Sequence, residues 1–421
     1  MPMAGCHKSR GKYIVTGDNR MLIKNIRPKR SVQDTIEKIE DFIFVLFIVA
    51  RQAFRYTPGF ASIWQIARCG MYGIILLQII KKPKIKKSGF LVWSVLFLAI
   101  AFLCSIISKY PDNGLNKCLE VFFVLIDATC VLLYCLPKRK TNLLFWAFLI
   151  SGAVTFCIQL SNFSANAITS GVNRILNRAS LTEAEHPNLT ALKLYMAFVS
   201  GCYLIYFHKE NNKIVIVLSA MSAIGMVLTG SRKTFIISVA VIALLFISGR
   251  KRYLKIALLV VGATVAYDAA MNNPIVYNII GWRLAAIGGA DASSMERARL
   301  LHDAINTGLN NPIFGVGLHN SMFYTTIGKY AHNNFAEIFA DLGIVGFSIF
   351  YSLYALYGYR IVRFAKENIR RYWMVFILGF LAIDYGQVSY NIFTSIVPMV
   401  ILCLEFTGHD KESYGKSCLN E

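Results

Sequence analysis

Charged residues are scarce in this chain. Asp, Glu, Lys and Arg supply only 16% of its 421 residues, whereas hydrophobic residues supply 56%, and the mean hydropathy is +0.50. Soluble domains usually carry about 25% charged residues. The composition therefore excludes an ordinary soluble protein and favours a chain that lies in a lipid bilayer.

The usual signs of a disulfide or metal site are also lacking. The ten cysteines form no CxxC pair and no metal-ligand spacing, and no Asp-x-Asp motif occurs. Seven of them fall in or near apolar stretches: Cys69, Cys104, Cys130, Cys135, Cys157, Cys202 and Cys403. There cysteine packs as a small hydrophobe. We therefore expect no disulfide, no metal and no cofactor.

We expect no cleaved leader, because the first forty residues are polar and basic. The apolar residues come in blocks of about 17 to 22, the length that crosses about 30 Å of hydrocarbon as a helix. The blocks do not alternate with period two, as the strands of a membrane barrel would. The sequence therefore predicts an all-α, polytopic helical membrane protein with about 12 transmembrane helices.

The predicted organisation is a basic N-terminal tail (1–40), one integral membrane domain (41–407) and a C-terminal tail (408–421). Arg51 and Arg55 interrupt the first span. The expected spans are 41–56, 60–80, 89–108, 115–136, 142–163, 189–207, 213–230, 233–249, 254–271, 334–358, 372–388 and 390–407. No internal repeat is visible, which disfavours a transporter built from inverted halves.

The net charge of +21 is explained by membrane topology rather than by nucleic-acid binding. Basic links at residues 81–87, 138–140, 250–252 and 360–371 all fall on one side of the predicted bundle, as the positive-inside rule expects. Both termini are then cytoplasmic, and the basic N-terminal tail is suited to anionic lipid. Residues 164–188, the turn at 230–234 and a long loop at 272–333 face outward. Long loops in compact domains are more often functional than incidental.

Outward-facing cations are unexpected under the same rule, and they are candidates for substrate binding. They are Arg174 and Arg178, Arg232 and Lys233, and Arg283, Arg297 and Arg299. Arginine fits phosphate with two parallel hydrogen bonds, so such a cluster suits a lipid-linked diphosphate. The alternative is that each arginine snorkels or pairs with an outer acid. For Arg232 we favour substrate binding over this alternative, because a short turn between two spans keeps its side chain at the membrane surface.

The sequence predicts a helix at about residues 294–307 inside the long loop. Ser293 is its expected N-cap with Glu296 as the capping-box partner, and Gly308 followed by Pro312 is its expected stop. Arg297 and Arg299 are two residues apart and point about 200° apart around such a helix. We expect one of the two arginines to face the substrate and the other to be structural.

His332 is the candidate proton acceptor. It precedes Asn333 at the start of an apolar span, and Glu337 lies four residues after Asn333 on the same helix face. Asn333 and Glu337 are therefore candidate substrate-binding residues, and we expect Glu337 to orient the site or to bond to Asn333. Histidine titrates near neutral pH and can take a proton from an attacking hydroxyl. The alternative is a His-Asn cap that opens the span. His186, His302 and His319 are weaker candidates.

Three segments, in this order and topology, resemble a known family. They are residues 228–233 (LTGSRK), Arg297 with residues 311–317 (NPIFGVG), and residues 331–337 (AHNNFAE) leading to 342–346 (LGIVG). Together they resemble the O-antigen ligase and O-antigen polymerase superfamily of bacterial surface-polysaccharide enzymes. The resemblance covers about residues 228–350. The N-terminal half is similar only in having many spans.

The resemblance implies a metal-independent membrane glycosyltransferase of the GT-C type at the outer face of the inner membrane. Its donor and acceptor are undecaprenyl-diphosphate-linked glycans, and other polysaccharide-assembly proteins are possible partners. By matching positions, Arg232 and Arg297 bind the donor diphosphate, and His332 activates or positions the acceptor hydroxyl. Where family members commonly carry an aromatic residue about four positions after the arginine, this chain has Leu301.

Three functions remain open. A polymerase would transfer a growing glycan onto the next lipid-linked repeat unit, and a ligase would transfer finished glycan to lipid A core or to protein. A flippase or other transporter would require cavity-lining charges across many spans, whereas the polar residues here concentrate at the outer loops. The polymerase is preferred.

Overall fold

The computed structural model describes residues 32–406, except residues 56, 58, 82–87, 162–185, 208–211, 248–251, 278–280, 282–284 and 286–291. Over this part of the chain the fold is all-α, without a strand. The helices from Asp41 onward belong to one compact unit. The all-α prediction is confirmed.

The helices follow one another with short links. They are α1 (Val32–Val49, continued by a π-helical turn Ala50–Phe54), α2 (Ala61–Lys81), α3 (Gly89–Ile106), α4 (Pro111–Lys138), α5 (Thr141–Ser161), α6 (Pro187–Phe207), α7 (Asn212–Leu228), α8 (Arg232–Phe246), α9 (Arg252–Asn272), α10 (Ala292–Asn310), α11 (Asn334–Phe364), α12 (Glu367–Asp384) and α13 (Phe393–Phe406). A single turn, Pro274–Val276, follows α9, and a 3-10 turn, Ser321–Tyr324, lies between α10 and α11.

Each predicted span coincides with a helix, and α10 is the helix predicted inside the long loop. Within the described residues, α2, α3, α4, α5, α6 and α11 are long and apolar enough to cross a membrane, and α7 and α13 are shorter apolar helices. The chain is therefore a multi-pass membrane protein. α1 begins at Val32, ahead of the predicted start at residue 41, because acidic residues extend its exposed first turns.

Helices α1 and α4 run in opposite directions. Asp41, in the middle of α1, accepts hydrogen bonds from Tyr134 near the end of α4 and from Lys140 just before α5. Arg51, further along α1, meets Asp127, which lies further back in α4.

The end of α6 meets the starts of α5 and α12. Phe145 of α5 and Tyr372 of α12 both pack on Tyr203 of α6, and Tyr206 of α6 donates to the carbonyl of Asn368 in α12. The basic links at residues 138–140 and 360–371 therefore lie at the same end of the helices.

A buried ion pair joins α1, α2 and α4. Asp127 accepts from Arg51 Nε at 3.1 Å and from Arg68 Nε at 3.2 Å, and it also accepts the hydroxyl of Tyr72. Trp64 lies under both guanidinium groups. Arg51, one of the two arginines that interrupt the first predicted span, is thus tolerated in the bundle because it has a carboxylate and an aromatic ring as partners.

α11 is broken at Gly343, where φ is +63°. The turn at residues 312–317 docks into the break, and glycine is required on both sides. A Cβ on Gly343 would lie 2.3 Å from the carbonyl carbon of Ile313, and a Cβ on Gly315 would lie 2.3 Å from that of Asp341. Four backbone hydrogen bonds join the two segments: Val316 N to Ala340 O (3.0 Å), Gly317 N to Asp341 O (2.8 Å), Ile344 N to Pro312 O (2.8 Å) and Val345 N to Ile313 O (3.3 Å).

Gly308 does not stop α10, which continues to Asn310. A Cβ on Gly308 would lie 2.4 Å from the ring of Phe339, so this glycine allows α10 to pack closely on α11. The predicted N-cap at Ser293 is wrong, because α10 already begins at Ala292, and Glu296 pairs with Lys329 at 2.7 Å across the loop. In both cases a tertiary contact overrides the local signal.

Gly343→Ala should destabilise the protein by about 2–5 kcal/mol, because it adds a left-handed backbone penalty and a steric clash. Gly358→Ala is the matched control in the same helix, because a Cβ there meets nothing within 4 Å; it should be neutral or stabilising by up to about 1 kcal/mol. Thermal unfolding of the purified protein in detergent measures both. Equal melting temperatures for the two variants would contradict the docking contact.

Candidate active site

The docked turn leads directly to the first part of the site. Asp341, which is fully buried, accepts the backbone N–H of His319 at 2.7 Å and that of Ser321 at 2.9 Å. These bonds hold His319 in a left-handed conformation with φ at +61°. Non-glycine residues rarely adopt this conformation, and they do so mainly where the surroundings enforce it. The carboxylate of α11 therefore fixes the course of the loop past His319.

A second buried carboxylate fixes the segment before α11. Glu337 accepts the backbone N–H of Ala331 at 2.8 Å. His332 follows in a left-handed conformation with φ at +54°, and its ring lies 4.2 Å from that of Tyr330. Asn333 caps α11 by accepting the N–H of Ala336 at 3.0 Å. The span thus begins with an Asn N-cap.

Both segments border a cavity of about 380 Å³. Its walls come from the end of α1, the starts of α4 and α6, the loop before α11, and the link from α12 to α13. The lining residues are Arg51, Gln52, Arg55, Lys117, His186, Asn188, Leu189, Lys193, His319, Tyr330, His332, Gly386, Gln387, Val388, Tyr390, Asn391, Ile392, Phe393 and Thr394. In each of these elements, the residues that line the cavity lie at the end that the positive-inside rule assigns to the outer side.

The described cavity wall is rich in basic side chains. It contains four Lys or Arg and three His, with no Asp or Glu among the lining residues. Two of the four cations have an acid as partner: Asp127 pairs with Arg51, and Glu120 pairs with Lys117 at 2.7 Å. Such a wall suits a negatively charged ligand.

His332 is the predicted site residue that lines the cavity. Burial, followed by the positive charges of Arg297, His186 and Lys233, lowers the pKa of His332 to about 4. Its imidazole is therefore neutral at pH 7 and becomes protonated only in strongly acidic solution. Arg297 and Lys233, which belong to the other two motifs, are thus among the charges that act on His332.

The predicted cations occupy different positions around the cavity. Lys233 donates to the carbonyl of Gly386 and to the side chain of Gln387 at 3.2 Å, so it supports the cavity wall. Arg232, the first residue of α8, is half-buried beside it. Arg297 and Arg299 are both exposed on α10. Of these two, the structure connects Arg297 electrostatically to His332.

Some predicted residues have protein partners or lie outside the described residues. The side chain of Asn333 also donates to the carbonyl of Tyr385 at 3.0 Å, so both ends of its amide are engaged. Glu337 is fully buried and binds the loop backbone rather than the Asn333 side chain. Arg174, Arg178 and Arg283 lie outside the described residues.

Sequence reasoning did not single out Arg55, Lys117, Lys193 or Tyr390, and it ranked His319 low. Each lies at a helix end or loop that the predicted topology assigns to the outer side, and that shared position was the available signal. Within the described chain, no group of three or more His, Cys, Asp or Glu side chains is placed to hold a metal ion.

Residues 216–351 match the protein family described as O-Antigen ligase. The matched segment runs from α7 into α11 and contains Arg232, Arg297 and His332. No curated protein matches the chain. The resemblance to the O-antigen ligase and O-antigen polymerase superfamily is confirmed for this segment, and members of the family are glycosyltransferase-like enzymes.

Asp341→Asn should lower the stability by about 1–3 kcal/mol, because an amide can accept at one oxygen only and leaves one buried N–H unpaired. It should also reduce activity through displacement of His319. Asp303→Asn is the matched control, since Asp303 also accepts two bonds from a loop residue, Thr326, but outside the cavity. Melting temperature and activity are measured for both variants. An active, fully stable Asp341→Asn variant would refute the conclusion that Asp341 holds the loop at His319.

Proposed function

We propose that this protein is a membrane glycosyltransferase that polymerises undecaprenyl-diphosphate-linked oligosaccharide units into a surface polysaccharide. The observation that carries the proposal is the cavity rich in Lys, Arg and His, which His332 lines and whose wall Lys233 of a second motif supports through Gly386 and Gln387. The family match supports the same reaction class.

The donor diphosphate is bound by Arg232 and Arg297 in this proposal. Transfer of the glycan breaks the bond between its anomeric carbon and the diphosphate, so negative charge develops on the leaving group. Fixed guanidinium groups stabilise that charge electrostatically without a metal. Arg174, Arg178, Arg299 and Lys233 contribute to the positive field that attracts the glycan substrate. His332 activates or positions the acceptor hydroxyl. Glu337 holds the backbone of Ala331 just before it, and Asn333 caps α11 just after it.

The proposed topology has twelve membrane-crossing helices of GT-C-like arrangement, with both termini in the cytoplasm. The alternating helix directions support it, because the cavity residues come from helix ends opposite to the basic links. The active site then faces the exterior of the bacterial inner membrane, where the tail of a lipid-linked glycan lies in the bilayer beside the cavity.

The alternative within the same chemistry is a ligase that transfers finished glycan to lipid A core or to protein. The transporter is less favoured, because the cavity opens among the ends of the helices rather than along their length.

Purified enzyme incubated with lipid-diphosphate repeat units should lengthen the glycan and release undecaprenyl diphosphate, and a chelator should not prevent this. Transfer to a lipid A core acceptor without chain growth would establish the ligase instead.

Arg232→Ala and His332→Ala should each lower the transfer rate by about 100-fold or more, the size expected for loss of an electrostatic or proton-transfer group. Arg363→Ala is the control, since Arg363 is exposed on α11 at the end away from the cavity. Product formation is measured after equal membrane insertion has been verified. Full activity of both site variants would disprove the assignment.

A further inference from the structure

Three histidines line the cavity, and the two that lie in the loop before α11 have different surroundings. His332 sits among positive groups, whereas His319 sits beside a carboxylate. Nδ1 of His319 lies 3.8 Å from Oε1 of Glu337 and 3.5 Å from the hydroxyl of Tyr390. The His319 side chain retains 21% of its exposure, whereas that of Glu337 retains none. His319 thus has the buried carboxylate of Glu337 on one side and the cavity on the other.

Glu337 has one oxygen left for this role. Its Oε2 accepts the N–H of Ala331, whereas Oε1 is buried without a hydrogen-bond partner among the described residues. Leaving a buried carboxylate oxygen unpaired is costly. Nδ1–H of His319 is the nearby donor that a small rotation would bring into hydrogen-bond range. That contact would fix the tautomer and leave Nε2 of His319 for the substrate.

We propose that His319, oriented by Glu337, takes the proton from the acceptor hydroxyl, and that His332 positions the reacting groups. This rests on the proposed glycosyl transfer. The hydroxyl oxygen attacks the anomeric carbon, the bond to the diphosphate breaks, and the leaving diphosphate carries away the electron pair. The hydroxyl proton moves to Nε2 of His319 and is later released to water. Glu337 is a positioning residue that stabilises the imidazolium formed on His319.

The positive surroundings of His332 support this division of roles. An imidazole whose pKa is lowered to about 4 has little driving force to take a proton from a hydroxyl. A histidine backed by a buried carboxylate gains electrostatic stabilisation as it becomes positive. The same pairing of a histidine with an orienting acid recurs in enzymes that activate hydroxyl nucleophiles.

Chemical rescue separates the two histidines. His319→Gly and His332→Gly both suit the left-handed backbone at these positions, so each removes a ring with little strain. Both variants should lose about 100-fold or more in the rate of transfer. Added imidazole should restore a substantial part of the rate to His319→Gly and none to His332→Gly. Rescue of His332→Gly alone, or full activity of His319→Gly without imidazole, would overturn the proposal.

The division between kcat and KM tests Glu337. Glu337→Gln keeps the size of the side chain and an oxygen that can accept the N–H of Ala331, but it removes the negative charge beside His319. Because that charge acts on the imidazolium formed during transfer, kcat should fall while KM stays nearly unchanged. An unchanged kcat would reject Glu337 as the partner of the base.

The outcomes also separate this inference from the function on which it rests. If wild-type enzyme transfers no glycan from any lipid diphosphate, the proposed function fails. If wild-type enzyme transfers glycan and His319→Gly does so equally well, only the assignment of the base fails.

Discussion

At Gly343 the backbone of α11 leaves the helical conformation, and the turn at residues 312–317 makes hydrogen bonds with the peptide groups on both sides of the break. A broken helix is tolerated at membrane depth only where other protein groups satisfy its backbone. Neither Gly315 nor Gly343 has room for a Cβ, so the turn and the helix can dock only with glycine at both positions. The geometry of the loop histidines depends on this docking.

The docking has a direct consequence for the two acids of α11. Glu337 and Asp341 are one helical turn apart and share a face, which the docked loop covers. Asp341 holds the backbone of His319, and Glu337 holds that of Ala331 just before His332. Asp341 therefore stabilises left-handed His319 by accepting its own N–H, and Glu337 stabilises left-handed His332 by accepting the N–H of the preceding residue. Strain of this kind is retained where the surroundings over-determine it.

The helices could be predicted from sequence because apolar blocks of membrane length are a strong local signal. The position of His332 at the start of a span could be predicted because it precedes such a block. The surroundings of His319 could not, since Glu337 and Asp341 are brought to it by the docked turn. Gly308 shows the same limit: as a local signal it predicts a helix end, but in the fold it admits the ring of Phe339. Contacts between distant segments decided both cases.

The cavity draws on two parts of the chain with different sequence signals. Residues 216–351, which match the family, supply His319, Tyr330 and His332, whereas α1, α4 and α6 supply Arg51, Lys117 and Lys193. Arg51 retains only 6% of its exposure, and burying it without Asp127 would be strongly unfavourable. The ion pair with Asp127 thus permits a cation inside the bundle, where Arg51 lies against Trp64 and Phe393 and also lines the cavity. A residue that looks like an interruption of a span is therefore part of the cavity wall, because charges within membrane helices persist where they face a polar space.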